Sequence, residues 1–158
     1  MLSKNDIIEL EIIDITAEGM GVGRYDGMAV FVPMSAVGDQ LSVRIVKMQK
    51  TLCYGIVQDI LSPSPTRIKP DCPVYSRCGG CSLWHMSYDE ELRFKKQRVN
   101  DALRHIGRQT VQAETIIGSD EMTHYRNKGI YAVREQGGKA CKGFFAPRSH
   151  ELVSVESC

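Results

Sequence analysis

The chain has no long hydrophobic run. Its longest apolar stretch, Met28 to Val37, is ten residues broken by Pro33 and Ser35, far below the roughly 20 that cross a bilayer, so no membrane contact is expected. An apolar segment is also missing at the N-terminus, where Met1-Leu2-Ser3-Lys4-Asn5-Asp6 runs into alternating acids. No signal peptide is read there, and a cytoplasmic protein with reduced thiols is expected. The four histidines, His85, His105, His124 and His150, have no HxxxH or HxH spacing, and none is assigned to a metal. Net charge is nearly absent, with 20 Lys plus Arg against 19 Asp plus Glu. Disorder and fibrous repeats are excluded by an ordinary globular composition, and 158 residues suffice for one domain or two small ones but not for a large enzyme with its own recognition modules.

The near-zero charge conceals an asymmetry. Residues 1–66 hold 5 basic side chains against 8 acidic ones, whereas residues 67–158 hold 15 against 11. Between the halves lies Leu61-Ser62-Pro63-Ser64-Pro65-Thr66, whose prolines interrupt any ladder or helix, and the domain boundary is placed there, giving 1–61 and 62–158. In the first half apolar residues recur with period two, as in Ile8, Leu10, Ile12 and Leu41, Val43, Ile45, which is strand periodicity. Turn signals divide it into about five strands near 7–16, 20–25, 28–33, 41–49 and 53–60. Five short strands fit a small closed barrel of the oligonucleotide-binding type, because closure removes edges that so small a sheet cannot protect. The Gly19-Met20-Gly21-Val22-Gly23 run lacks the full GxGxxG spacing and a following helix, so it reads as turn and bulge glycines rather than a phosphate loop.

Six cysteines in a reducing compartment point to metal ligands or reactive thiols more than to three disulfides. Cys72, Cys78 and Cys81, spaced as Cys-x5-Cys-Gly-Gly-Cys, supply three corners of a tetrahedral sulfur site, with Gly79 and Gly80 letting the backbone fold tightly around it. Cys53, Cys141 and Cys158 are candidates for the fourth. A compact triplet with one remote partner favours iron–sulfur ligation over zinc, whose knuckles usually bring two CxxC pairs. A redox dithiol or disulfide is less favoured, since no strand–CxxC–helix context surrounds Cys78 and Cys81.

Ser87-Tyr88-Asp89-Glu90 reads as a capping box opening a helix over 88–106, with Leu92, Val99, Leu103 and Ile106 as its apolar stripe and Gly107 as a left-handed stop. Its other faces carry Arg93, Lys95, Lys96, Arg98 and Arg104, a solvated charge run or, less favoured, a phosphate contact. Strands follow over 129–158, including a hairpin turning at Gly137-Gly138. Basic residues there interleave with Tyr125, Tyr131, Phe144 and Phe145, a pattern that can set phosphates on cations and bases on rings.

The barrel with Glu18-Gly19-Met20-Gly21-Val22-Gly23, Val30-Phe31-Val32-Pro33 and Gly38-Asp39 resembles a TRAM domain, an RNA-binding member of the oligonucleotide-binding barrels. The cysteine triplet, Tyr125-Arg126-Asn127-Lys128, and Ser149-His150-Glu151-Leu152-Val153 leading to Cys158 resemble the S-adenosylmethionine-dependent RNA uracil-C5 methyltransferases, specifically the branch that modifies 23S ribosomal RNA. The resemblance implies a [4Fe-4S] cluster on Cys72, Cys78, Cys81 and Cys158, a cluster that air can strip, and leaves Cys53 and Cys141 as packing thiols. It implies ribosomal RNA as the partner, with Arg24, Arg44, Lys47, Lys50, Arg126, Lys128, Lys142, Phe145 and Arg148 as the RNA-binding candidates. In that family a Rossmann-like domain beyond the fourth cysteine holds the S-adenosylmethionine site, the cysteine nucleophile and the carboxylate. None of these is in the chain, so no catalytic or S-adenosylmethionine-binding residue is assigned and no turnover by the chain alone is expected.

The expected fold is thus mainly β with one long helix (α+β): a five-stranded barrel followed by an incomplete iron–sulfur central domain. The expected function is RNA recognition within an rRNA uracil-C5 methyltransferase, as a monomer with self-association possible through Leu92, Val99 and Leu103 on the helix. The rivals are an iron–sulfur electron carrier and a zinc-ribbon RNA-binding protein.

Overall fold

A computed structural model describes residues 2–158. Internal contacts divide the chain into two compact units, one running up to Lys69 and including His85–Ile116, the other formed by Pro70–Trp84 and Ile117–Cys158. The chain is mainly β with one long α-helix, as expected. The division differs from the one expected at 61/62: it follows Lys69, and the helical segment groups with the strands of the first half rather than with the cysteines.

In the first unit, strands β1 (Ile7–Glu11), β2 (Asp14–Ile15), β3 (Gly21–Tyr25), β4 (Met28–Val32), β5 (Gln40–Met48) and β6 (Leu52–Ser62) form one sheet in the order β1-β5-β6-β4-β3-β2. Its two outer strands are successive pieces of chain separated only by Ile12 and Ile13. Residues 7–15 therefore act as one bent strand, pairing with β5 through its first part and with β3 through its last, and the sheet closes on itself. All neighbours are antiparallel except β4 and β6. Alternation explains the closure: Ile8, Leu10, Ile12, Val30, Val32, Leu41, Val43, Ile45 and Cys53 all point inward and form one core cluster, the one-sided burial that period-two strands impose.

The glycines of β3 let the walls meet. A Cβ at Gly21 would lie 2.0 Å from Ser35 Oγ, and one at Gly23 would lie 2.5 Å from the Glu11 carbonyl oxygen. These close approaches account for the run without any phosphate-binding role.

A buried polar node joins the barrel to the segments that follow it in the same unit. Asp39, fully buried, accepts from the Ala36 amide at 2.7 Å, the Ser64 amide at 2.9 Å and Arg67 Nε at 3.0 Å. Arg67 also donates to the Met34 carbonyl at 2.9 Å. The adjoining Ile68 amide donates to the His85 carbonyl, and the Ser87 amide donates to the Thr66 carbonyl. These bonds tie the segment leading into the helix to the barrel: the Asp39 carboxylate is met by Arg67, and the Ala36, Ser64, Ile68 and Ser87 amides find acceptors.

Helix α1 (Tyr88–Asp101) starts as expected, the Ser87 hydroxyl accepting from the Glu90 amide. The reciprocal half of the capping box does not form: the Glu90 carboxylate is bound by Arg93. The helix continues as a π-helical turn over Ala102–Ile106. Gly107 is right-handed at φ −76°, and the positive φ falls on Arg108. Its buried side consists of Glu90 and Phe94, whereas Val99 and Ile106 of the expected stripe are 50% and 83% exposed.

The second unit holds a three-stranded sheet, β7 (Ala132–Gln136), β8 (Lys139–Phe145) and β9 (Leu152–Ser154), antiparallel throughout. Gly137 and Gly138 both have positive φ, which the two-residue hairpin turn needs. The first strand begins at Ala132 rather than at 129. The buried apolar residues of this unit are Tyr75, Leu152, Val153 and Val155. No helix among the described residues is long and apolar enough to cross a membrane.

Candidate functional site

The cysteine triplet sits on a chain segment folded by tight turns. The amides of Arg77 and Cys78 both donate to the Val74 carbonyl, and the Tyr75 amide donates to the Cys72 carbonyl. Gly79 then docks on the end of β8, its amide donating to the Phe145 carbonyl at 3.0 Å. A Cβ there would lie 2.6 Å from that oxygen, so the first glycine of the pair is required by close backbone approach. The Gly80 amide donates to Cys78 Sγ at 3.4 Å, the kind of donation that tempers charge on a thiolate ligand.

All six cysteines are free thiols. Cys53 is fully buried in the barrel core, where burial pushes its thiol up, and Cys141 is half-buried on β8. Of the other four, Cys81 feels the remaining three. The Cys81 thiol is pushed up by burial, then by Cys158, Cys78 and Cys72, with Arg126 opposing. Four thiols have the donor chemistry of a sulfur-ligated metal centre. Their atoms are not drawn to ligating closeness: among the described residues no group of three or more His, Cys, Asp or Glu side chains is placed to hold a metal ion.

Cations and rings meet on the same unit. Lys142 Nζ lies 5.5 Å over the Tyr131 ring, and the Arg134 guanidinium lies 5.2 Å over Phe145. Tyr131 contacts Phe144 at 5.1 Å between centroids, and Phe145 meets His150 edge-on at 5.7 Å. Arg126 stands over Tyr125 at 5.8 Å. Phe144 and Phe145 are half-buried, while Arg126, Lys128, Lys142 and Arg148 are exposed, Arg148 on a loop residue with φ 57°. The structure therefore gathers Tyr131, Arg134, Lys142 and Phe145 around one hairpin and leaves Lys128 in a stretch without regular structure.

On the barrel, Arg24 is exposed on β3, Arg44 half-buried on β5, and Lys50 exposed in the β5–β6 turn. Lys47 lies 5.7 Å over Tyr54, which itself pairs with Phe31. The helix cations are largely committed within the helix. Arg93 pairs with Glu90, Lys95 with Glu91 and Arg104 with Asp101, as expected of a solvated charge run.

Sequence reasoning missed the buried node of Asp39, Arg67 and His85, and the ring pair Phe31–Tyr54. His85 Nε2 lies 3.1 Å from the Ser35 carbonyl, and burial holds the imidazole below its ordinary range, Ser35 and Asp39 opposing and Arg67 reinforcing. The ring pair had a signal, since Phe31 and Tyr54 have the outward parity beside inward Val30, Val32 and Cys53.

No family model matches the chain. Among curated proteins it is 40% identical to an uncharacterized RNA methyltransferase of Halalkalibacterium halodurans, over 99% of this chain and 34% of the relative. It is 41% identical to one of Caldanaerobacter subterraneus, over 95% of this chain and 33% of the relative. The chain therefore spans about a third of the length of the curated relatives it matches. Among solved structures it resembles Pyrococcus abyssi tRNA (uracil-54, C5)-methyltransferase in complex with S-adenosyl-L-homocysteine, with TM-score 0.59 and 24% identity, over 94% of this chain and 32% of that one. That likeness concerns the fold.

Proposed function

We propose that this chain is the RNA-recognition and iron–sulfur portion of an RNA uracil-C5 methyltransferase acting on ribosomal RNA. The observation that carries the reading is the spacing of Cys72, Cys78 and Cys81 around Gly79-Gly80, with the remote Cys158 at the chain's end, in a chain whose relatives are named RNA methyltransferases. The closed sheet, with its single parallel pair β4–β6, supports an oligonucleotide-binding barrel of the TRAM type.

In this reading Cys72, Cys78, Cys81 and Cys158 would hold a [4Fe-4S] cluster, which would cross-link the second unit. The chain's own residues do the rest. The Gly80 amide donates to the Cys78 sulfur, Gly79 ties the triplet to β8, and Lys142 and Arg134 present cations beside Tyr131 and Phe145 for the RNA backbone and bases. In the whole protein a cysteine thiolate would add to uracil C6, S-adenosylmethionine would supply the methyl group to C5 and leave as S-adenosylhomocysteine, and loss of the C5 proton would expel the thiolate. The electron-carrier and zinc-ribbon rivals gain no support from the relatives.

The test is binding of this chain to an unmodified 23S ribosomal RNA fragment, with tRNA as competitor and S-adenosylmethionine present. Tight binding to the ribosomal fragment, weakened by Lys142→Gln and Arg126→Gln, without methyl transfer, is expected. Preference for tRNA would overturn the ribosomal assignment, and stoichiometric methylation would overturn the assignment of catalysis to another part of the protein.

A further inference from the structure

The chain leaves the barrel unit after Lys69 and re-enters it at His85, so Pro70–Trp84, with Cys72, Cys78 and Cys81, is an excursion whose two ends belong to one unit. Those ends are joined. The Ser87 amide donates to the Thr66 carbonyl at 2.7 Å and the Ile68 amide to the His85 carbonyl at 3.0 Å, on either side of an antiparallel bridge between Arg67 and Met86. Residues 66–68 and 85–87 thus form a two-stranded stem, and each strand is fixed separately to the barrel. The outgoing one is held by Arg67, which donates to Asp39 and to the Met34 carbonyl. The returning one is held by His85, 1% exposed, whose Nε2 lies 3.1 Å from the Ser35 carbonyl oxygen. That oxygen only accepts, so Nε2 is the donor. Beyond the stem, Ser87 caps α1.

We propose that this stem is the positioning element of the thiol site: it holds the ends of the excursion together, so that Cys72, Cys78 and Cys81 meet a metal from a loop already closed, with His85 and Arg67 as positioning residues. The inference rests on reading these thiols as metal ligands, and deepens that reading by naming what organises them. Gathering ligands from an open chain costs closure and ordering entropy at the moment of binding. Here the barrel, whose core cluster draws nothing from the excursion, has met the closure cost beforehand, and a preorganised site binds more tightly. The coupling runs along the chain itself. It is also reciprocal: a metal that favours the closed stem strengthens the stem by the factor by which the stem favours the metal. A stem that served the barrel alone would change the melting temperature and leave the thiols indifferent.

The test is titration of the whole reduced chain with cobalt(II), read in the thiolate-to-cobalt charge-transfer band, with hydrogen exchange at the Ile68 and Ser87 amides before and after loading. Ile68→Pro removes the amide that bonds His85, at a side chain already 42% exposed, and His85→Leu removes the donor to Ser35. Each is expected to weaken cobalt binding by about 5- to 150-fold. His85→Gln keeps an amide donor and should retain most of the affinity. Val30→Ala, in the barrel core, should lower the melting temperature with the affinity unchanged. In the parent, cobalt should slow exchange at both stem amides by a factor matching the loss in the variants, and this measurement decides the question where a variant fails to fold. Parental affinity in both stem variants, stem amides that cobalt does not slow, a loss in His85→Gln as large as in His85→Leu, or an equal loss in Val30→Ala would overturn the inference while leaving the thiols as ligands. A parent chain that gives no charge-transfer band overturns the reading of the thiols, and this inference with it.

Discussion

The barrel unit encloses nine inward side chains in one cluster, from Ile8 to Cys53. The cysteine unit buries only Tyr75, Leu152, Val153 and Val155 among its apolar residues. The two also treat polar groups differently. In the first, Asp39 is fully buried and receives bonds from Arg67, Ala36 and Ser64, whereas in the second the ion pair Arg77–Glu151 is 70% and 63% exposed. One unit is therefore stabilised by burial and a satisfied polar node. The other has too small a core to be stabilised that way, and small units of this kind depend on cross-links or metal centres. The proposed cluster on Cys72, Cys78, Cys81 and Cys158 would supply such a cross-link.

The largest effect that can sharpen the contrast comes from the polar node. Arg67→Met leaves the Asp39 carboxylate buried without its counter-charge and should cost about 3–5 kcal/mol, read as an earlier denaturant transition of the barrel with the cysteine unit unmoved. A variant as stable as the parent breaks the claim that this node holds the helix segment to the barrel.

Acid should weaken the barrel unit in two steps. His85 is held neutral by burial, so the unfolded chain binds the proton more readily, and stability present above the ordinary histidine value of 6.5 is lost as pH falls below it. Burial alone would raise the Asp39 pKa, but the bonds from Arg67 and from the Ser64 and Ala36 amides outweigh it and hold the carboxyl below its ordinary 3.8. Its contribution is full above that value and is lost as pH falls through the lower folded one. Melting temperature against pH should show the first decline in the parent and lose it in His85→Gln; a decline that persists in the variant contradicts the assignment.

The smallest effect belongs to the surface of the cysteine unit. Arg77→Ala removes the 3.0 Å pair with Glu151 and should change stability by about 0.2–1 kcal/mol at most. A larger loss in thermal unfolding would mean that exposed charges, not the thiols, organise this unit.

The barrel was legible because β1 and β5 alternate, and alternation survives in a linear reading: Ile8, Leu10 and Ile12 point where Leu41, Val43 and Ile45 point. Ser87 and Gly137-Gly138 were legible because capping and tight turns are local chemistry. The Asp39–Arg67 pair spans 28 residues and leaves no periodic trace, so the grouping of the helical segment with the barrel strands was not legible. Phe94 escaped because a mostly polar helix gives a weak stripe, and tertiary packing chose Glu90 and Phe94 over Val99 and Ile106. Gly107 was expected to be left-handed on propensity, but the π-helical turn before it moves the positive φ to Arg108. Of the site, the cysteine spacing was fully visible, whereas the hairpin's ring and cation partners depend on cross-strand register.

The central claim is that Cys72, Cys78, Cys81 and Cys158 hold an iron–sulfur cluster that stabilises the second unit. It is tested most directly by iron, sulfide and zinc analysis of anaerobically reconstituted protein, with hydrogen exchange followed over Ile117–Cys158 before and after loading. The account predicts about four irons and four sulfides per chain, with new protection confined to the cysteine unit and both lost in Cys81→Ser. One zinc per chain, or a loaded protein whose second unit exchanges as fast as the unloaded one, would contradict it.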